Sequence, residues 1–274
     1  MDNVWENNFY IVQESAACKK SLAELADIEE FIAHMGLQSF CQDFIMCRNK
    51  ILSLQGVMTS IELTLSNIHL CCEHACFADA NTLLRKYRDD LFFYLYLVVF
   101  NNQKMLGKSD KALDAMEENI NRWIENNLKD LHIGEILKAI VSMKELSTAS
   151  RQYDFQKSFD KIGCRLNNFV HSNGCSFYNQ NAIAYNRKDL EDYLKKVVED
   201  LRYITTTFMF LLVLCTPSMA MSSDYVDYLD SHELPPEGSQ YWVAPFIDRF
   251  FHQNISCIDE TCLDYLRENT PMEF

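Results

Sequence analysis

The sequence predicts an all-α protein, and three observations carry that prediction. The 274 residues include only 7 Gly and 5 Pro. All five prolines, at positions 217, 235, 236, 245 and 271, lie in the last 58 residues. A β-sandwich or barrel needs a turn signal every few residues, and a proline-free stretch of 216 residues does not supply them. Apolar residues then recur at helical spacing along that stretch. About half the residues are apolar and 23% are charged, which excludes a disordered or fibrous chain. At ~150 residues per domain the length fits one large domain or two small ones.

The elements follow in order. A first helical stretch is expected from about Glu14 to His34, ending near Gly36. A second is expected from Ser39 to the cluster Cys71-Cys72-Glu73-His74-Ala75-Cys76, with Gly56 a point of interruption. A third follows Asp79 and carries Leu83, Leu84, Tyr87 and Leu91 into the apolar run Leu91–Phe100. Ser109 reads as the N-cap of a fourth, in which Leu113, Met116, Ile120, Trp123 and Ile124 share a face. Further helical patterns cover Gly134–Met143, Tyr153–His171 and Lys188–Leu214. These make a helical body over 1–216. After Pro217 the composition turns aromatic, acidic and proline-containing, so 217–274 reads as an irregular subdomain packed on that body.

The formal net charge is −14, and residues 223–274 hold 11 acidic and 2 basic side chains. Broad nucleic-acid binding by a basic surface is therefore not expected, whereas the better balanced first part leaves room for a local phosphate site. The N-terminus shows no basic region leading into an apolar core, and the 11 cysteines sit mainly among apolar residues. Free thiols in a reducing cytosol are the expectation. Ile204–Ser223 carries no charge, yet its strongly apolar part is only Phe208–Cys215, too short to span a bilayer. It reads as the buried end of a central helix, with no membrane partner.

One segment carries chemistry: Ile162-Gly163-Cys164-Arg165-Leu166-Asn167-Asn168-Phe169-Val170-His171-Ser172-Asn173-Gly174. It has the form of a helix end, with Asn173-Gly174 able to take positive φ past the C-terminus. His171 then falls in the last turn, where the helix dipole favours an imidazolium and moves its pKa towards neutrality. Asn167 and Asn168 precede it by four and three residues, on the same face. Arg165, six residues back, is ~120° around the helix and reaches His171 only by extending its side chain or across a subunit interface.

Arg165-x5-His171 resembles the Arg-x(4–6)-His signature of the HEPN superfamily, the higher eukaryotic and prokaryotic nucleotide-binding domains. The resemblance implies a compact helical bundle and a metal-independent endoribonuclease. Such enzymes act as toxins or in abortive infection and other anti-phage defence. Members commonly dimerise so that two motifs form one site. They often carry a polar residue directly after the Arg, where this chain has Leu166 followed by Asn167 and Asn168. The implied catalytic residues are Arg165 and His171, with Asn167 and Asn168 supporting. Their chemistry is attack of a ribose 2′-OH on the adjacent phosphorus, expelling the 5′-oxygen and leaving a 2′,3′-cyclic phosphate. His171 would move the proton, and Arg165 would hold the developing phosphorane charge bidentately. The structural alternative is that His171 caps its helix while the two asparagines bond loop backbone.

Three other features bear on function. In Arg85-Lys86-Tyr87-Arg88-Asp89-Asp90 the pairs Arg85–Asp89 and Lys86–Asp90 are spaced for a solvated salt-bridged face. HEPN-like folds often set polar residues of another helix beside the motif, so Arg88 and Asp89 are also candidates to orient His171 or hold a phosphate. The Cys71, Cys72, His74, Cys76 cluster does not make a zinc site if it is helical, because its members face different ways; no metal and no cofactor are expected. In the loop 172–186, Tyr178 and Asn179 are candidates to stack on and hydrogen-bond an unpaired RNA base. A P-loop, a dinucleotide fingerprint, a nucleophile elbow and a zincin motif are all missing from the sequence.

The expected function is thus a HEPN-like endoribonuclease acting as a toxin or defence effector. Its expected partners are an RNA substrate, a second copy of the chain and a regulatory or sensor protein. The alternative is a non-catalytic helical dimerisation or interaction subunit of a defence complex.

Overall fold

The computed structural model describes residues 4–37, 44–47, 50–107, 111–125, 133–141, 143–173, 180, 183 and 185–274. It is mostly helical, with one two-stranded hairpin. The order is α1 (Val4–Glu14), α2 (Ala16–Leu37), β1 (Phe44–Cys47), β2 (Lys50–Ser53), α3 (Leu54–Glu73), α4 (Phe77–Met105), α5 (Lys111–Ile124), α6 (Ile133–Val141), α7 (Lys144–Gln152), α8 (Phe155–Val170), α9 (Arg187–Cys215), α10 (Asp224–Asp230), α11 (Pro245–Asn254) and α12 (Cys262–Asn269). Single 3₁₀ turns at Pro217–Ala220, Ser239–Tyr241 and Ile255–Cys257 punctuate the C-terminal segment.

The chain departs from the all-α expectation at 44–53. Ile45 and Cys47 are buried while Phe44 and Met46 are exposed, a period of two rather than 3.6. The strands pair antiparallel with Phe44 opposite Ser53 and Cys47 opposite Lys50. Gly56 does not break the helix that follows. It donates its N–H to the Ser53 hydroxyl at 3.1 Å, so Ser53 is the N-cap and Gly56 lies in the first turn. Ser15 does the same for α2, accepting from the Cys18 N–H at 3.3 Å, and thereby separates α1 from α2. The expected cap Ser109 lies outside the described residues.

The chain forms two compact units. The first comprises 1–36, 57–91 and 154–205; the second comprises 37–56, 92–153 and 206–274. In the first, long-range polar contacts fasten the helices. Ser15 bonds Glu191, Arg202 pairs with Glu24, and Glu29 takes hydrogen bonds from Ser66 and His69. The buried Tyr87 hydroxyl meets Thr205 at 2.9 Å, which satisfies both groups in an apolar interior.

In the second unit, the apolar run of α4 is buried from Phe92 to Phe100. Tyr94 packs edge-on against Phe208, and the Phe93 ring meets Trp123 at a tilt, 4.6 Å between centroids. Residues 217–274 belong wholly to this unit and carry three helices of their own. Backbone bonds from Ser222 to Trp242 and from Ala244 to Ala220 close them on each other. Among the described residues no helix is long and apolar enough to cross a membrane.

Candidate functional site

Helix α8 positions the Arg/His segment. Phe155, Phe159, Ile162, Leu166 and Phe169 are buried and define its inner face. The helix ends in a Schellman motif. The Asn173 N–H donates to Asn168 O at 2.7 Å and the Ser172 N–H to Phe169 O at 3.2 Å. In this motif Ser172 takes positive φ, at 51°, ahead of the expected Asn173; Gly174 lies outside the described residues. A serine therefore bears a conformation that glycine holds without strain.

His171 is the C-cap residue of this motif, and its own N–H donates to Asn167 O at 3.0 Å. Its side chain is exposed, and among the described residues its ring makes no hydrogen bond. Asn168 is exposed as well. Asn167 is half-buried, and its Oδ1 is buried without a hydrogen-bond partner among the described residues.

Arg165 is held quite differently. One Nη donates to Asn81 Oδ1 at 2.7 Å, and the other donates to Asp200, whose side chain is only 5% exposed. Lys196 donates to the second Asp200 oxygen at 2.9 Å. Asn81 turns its amide nitrogen to Phe77 O at 2.7 Å and to Gln180 Oε1 at 3.3 Å. The guanidinium of Arg165 is thus fixed through Asn81 to the chain that follows His171. Its Nε is buried and unpartnered among the described residues, while 28% of the side chain stays exposed.

Asn81 and Asp200 are the residues that sequence reasoning missed. Each had a local signal: Asn81 is spaced with Phe77 and Leu84, and Asp200 with Val197 and Ile204. Both place a polar group on an apolar helix face, where it needs a buried partner.

The polar island of α4 is only partly the solvated face its spacing suggests. Lys86 reaches Asp90 and Thr64, and burial pushes the Asp90 carboxyl up against the opposing pull of Lys86. Arg88, however, is buried at 4% exposure. It donates to Asp89 Oδ1 from Nε at 2.9 Å and from Nη2 at 2.7 Å, with Arg85 3.7 Å from the other oxygen. Gly163 gives this guanidinium its room: a Cβ there would come within 2.7 Å of Arg88 Nη1. Arg88 therefore touches the motif helix at Gly163, eight residues before His171, while Asp89 is tied to it only through Arg88.

The Cys71–Cys76 cluster is not the continuous helix that its spacing suggested. Cys71 and Cys72 end α3, Cys76 lies beyond the helix, and Ala75 takes φ 58° between them. Among the described residues no group of three or more His, Cys, Asp or Glu side chains is placed to hold a metal ion. Tyr178 and Asn179 lie outside the described residues.

The structure brings Arg165, Asn81, Asp200, Lys196 and Gln180 together, and Arg88, Asp89 and Gly163 together. No protein-family model, curated protein or solved structure matches the chain.

Proposed function

We propose that the end of α8 is the phosphate-handling site of a HEPN-like, metal-independent endoribonuclease that serves as a toxin or anti-phage effector. The observation that supports this most is the setting of Arg165. A cation clamped by Asn81 and a buried Asp200 is pre-oriented, so it stabilises developing charge without reorganising when the charge appears. Arg165, Lys196 and Asp200 together carry one net positive charge in a chain whose total is −14. His171 supplies a solvent-accessible imidazole at the same helix end, open to a polymeric substrate.

The reaction follows from these groups. A ribose O2′ attacks phosphorus, the P–O5′ bond breaks, and a 2′,3′-cyclic phosphate remains. One proton leaves O2′ and one reaches O5′, which a single exposed histidine serves poorly. Two copies of the chain facing each other at the α8 ends would provide one imidazole for each transfer, which is why we place the enzyme in a homodimer. No step calls for a metal ion. An effector that cleaves cellular RNA also needs restraint, which a regulatory protein partner would supply.

Purified protein incubated with total RNA should yield 2′,3′-cyclic phosphate ends, with undiminished activity in EDTA. Light scattering should show a dimer at micromolar concentration. A monomer with full activity would remove the composite site. Cleavage that stops on chelation and returns with a divalent ion would replace the reading by a metal nuclease.

One observation favours a second reading, a non-catalytic helical interaction subunit of a defence complex. The hydrogen bonds of Arg165 to Asn81 and Asp200 are those of a residue that fastens helices, and among the described residues no side chain is hydrogen-bonded to the His171 ring. Intact RNA after incubation with the folded dimer would select that reading.

A further inference from the structure

The turn joining α3 to α4 carries a cysteine at each end. It is a second Schellman motif: the Cys76 N–H donates to Cys71 O at 2.8 Å and the Ala75 N–H to Cys72 O at 3.2 Å. In this motif the residues in the positions of Cys71 and Cys76 are the two whose side chains meet across the turn. Standard bond lengths along the Cys76 N–H to Cys71 O link limit their Cα atoms to at most about 6.7 Å apart. A disulfide accepts Cα separations of roughly 4.4–6.8 Å, so the pair lies within bridging reach.

The turn is also held in place. The ring of His74, its C-cap residue, stacks on Trp5 at 5.6 Å and on Phe9 at 5.2 Å, both from α1. Cys71 and Cys76 are half-buried, so a small reagent can reach them, whereas the adjacent Cys72 is fully buried. We propose that Cys71 and Cys76 form a reversible thiol–disulfide pair, oxidised by a small-molecule disulfide to a bridge across the α3–α4 turn.

The exchange balances in two steps. The Cys76 sulfur, as thiolate, attacks one sulfur of the small disulfide, whose S–S bond breaks and releases one small thiolate. Cys71 then gives up its proton to water and attacks the Cys76 sulfur of the mixed disulfide, releasing the second small thiolate. Two protein thiols are oxidised and one small disulfide is reduced to two thiols. Burial, together with Cys76 and Asp79, pushes the Cys71 thiol up to about 11, so Cys71 suits the second step, where attack is within the chain and the attacked sulfur is already beside it. The Cys76 thiol donates to His74 O at 3.6 Å in the reduced state, a contact the bridge gives up.

The test uses the full chain and oxidised glutathione. Reduced protein is treated, alkylated under denaturing conditions and digested with trypsin, and peptide 51–85 is weighed. It holds Cys71, Cys72 and Cys76 as its only cysteines. The expected product lacks two alkyl groups, carries the third on Cys72, and regains all three after a reductant. C72S should still form the bridge, while C71S and C76S should not. Three alkyl groups in the treated wild type, a stable glutathione adduct without the internal bridge, or a bridge that survives in C71S or C76S would each overturn the proposal.

Discussion

The guanidinium of Arg88 rests against the backbone of Gly163, and no side chain fits between them: a Cβ on Gly163 would lie 2.7 Å from Arg88 Nη1. Close approach of α4 and α8 thus depends on a glycine in the middle of a helix, a position where glycine costs about 1 kcal/mol relative to alanine. Gly163→Ala should destabilise the protein by about 1–2 kcal/mol, because overpacking against a buried, clamped arginine outweighs the propensity gain. In an Arg88→Met background the same change should be neutral or stabilise by up to ~1 kcal/mol. Denaturant unfolding of the four proteins measures the coupling; additive effects would show that the contact has no energetic weight.

Arg165 and His171 should separate by stability. His171 is exposed, so His171→Ala should change stability by no more than about 0.5 kcal/mol. It should still lower RNA cleavage by ~10²–10⁴-fold under the proposed function. Arg165→Ala leaves Asp200 buried with Lys196 as its remaining charge partner, a loss of about 1–3 kcal/mol. That is below the cost for a fully buried pair because 28% of the Arg165 side chain meets solvent. Arg165 is thus the structurally costlier of the two to remove, although both lie on the same helix end. Melting curves and one cleavage assay on the two variants decide it. Equal melting temperatures would contradict the assigned role of Asp200.

Ser172→Gly should stabilise the C-terminus of α8. A non-glycine residue at φ 51° carries a left-handed cost of ~1–2 kcal/mol, and glycine returns about 0.5–1 of it in unfolded-chain entropy. The net gain expected is about 0.5–1 kcal/mol, read from the unfolding midpoint. A loss of stability would mean that the Ser172 side chain makes a contact worth more than the strain.

Asp259 should contribute an acid-side slope to stability. Its carboxylate accepts from the Thr261 hydroxyl at 2.7 Å and the Thr261 N–H at 2.9 Å, which holds its pKa below the ordinary aspartate value. A carboxyl depressed in the fold stabilises above its unfolded pKa of about 3.9 and loses that contribution as pH falls through the folded value. Unfolding curves from pH 7 to pH 2 should therefore show a shallower acid loss for Asp259→Ala than for the wild type. Parallel curves would refute the link.

Most of the helices were legible because their signals are local. The apolar spacing of Leu83, Leu84, Tyr87 and Leu91 needs only neighbouring residues to define a face, and so does the spacing of Phe159, Ile162, Leu166 and Phe169. The stop after His171 was legible for the same reason, since a cap is made by residues within six positions of one another. Which residue takes positive φ was not, because intrinsic preference favours Asn173 and the point at which the helix ends puts Ser172 there instead. The hairpin at 44–53 escaped because its strands are four residues each, and an alternation that short does not stand out against helical spacing.

The sequence by itself determined a mostly helical chain, a helix end carrying Arg165 and His171, and Arg88 in a polar island beside an apolar run, while the signals at Asn81 and Asp200 went unread. Only the tertiary structure decided how those residues pair. Arg165 meets Asn81 across 84 positions and Asp200 across 35, and Arg88 meets the backbone of Gly163. Such pairs are chosen by whichever helices pack together, because a buried charge must find its counter-charge wherever the core brings one, and sequence spacing within a single helix carries no record of that choice.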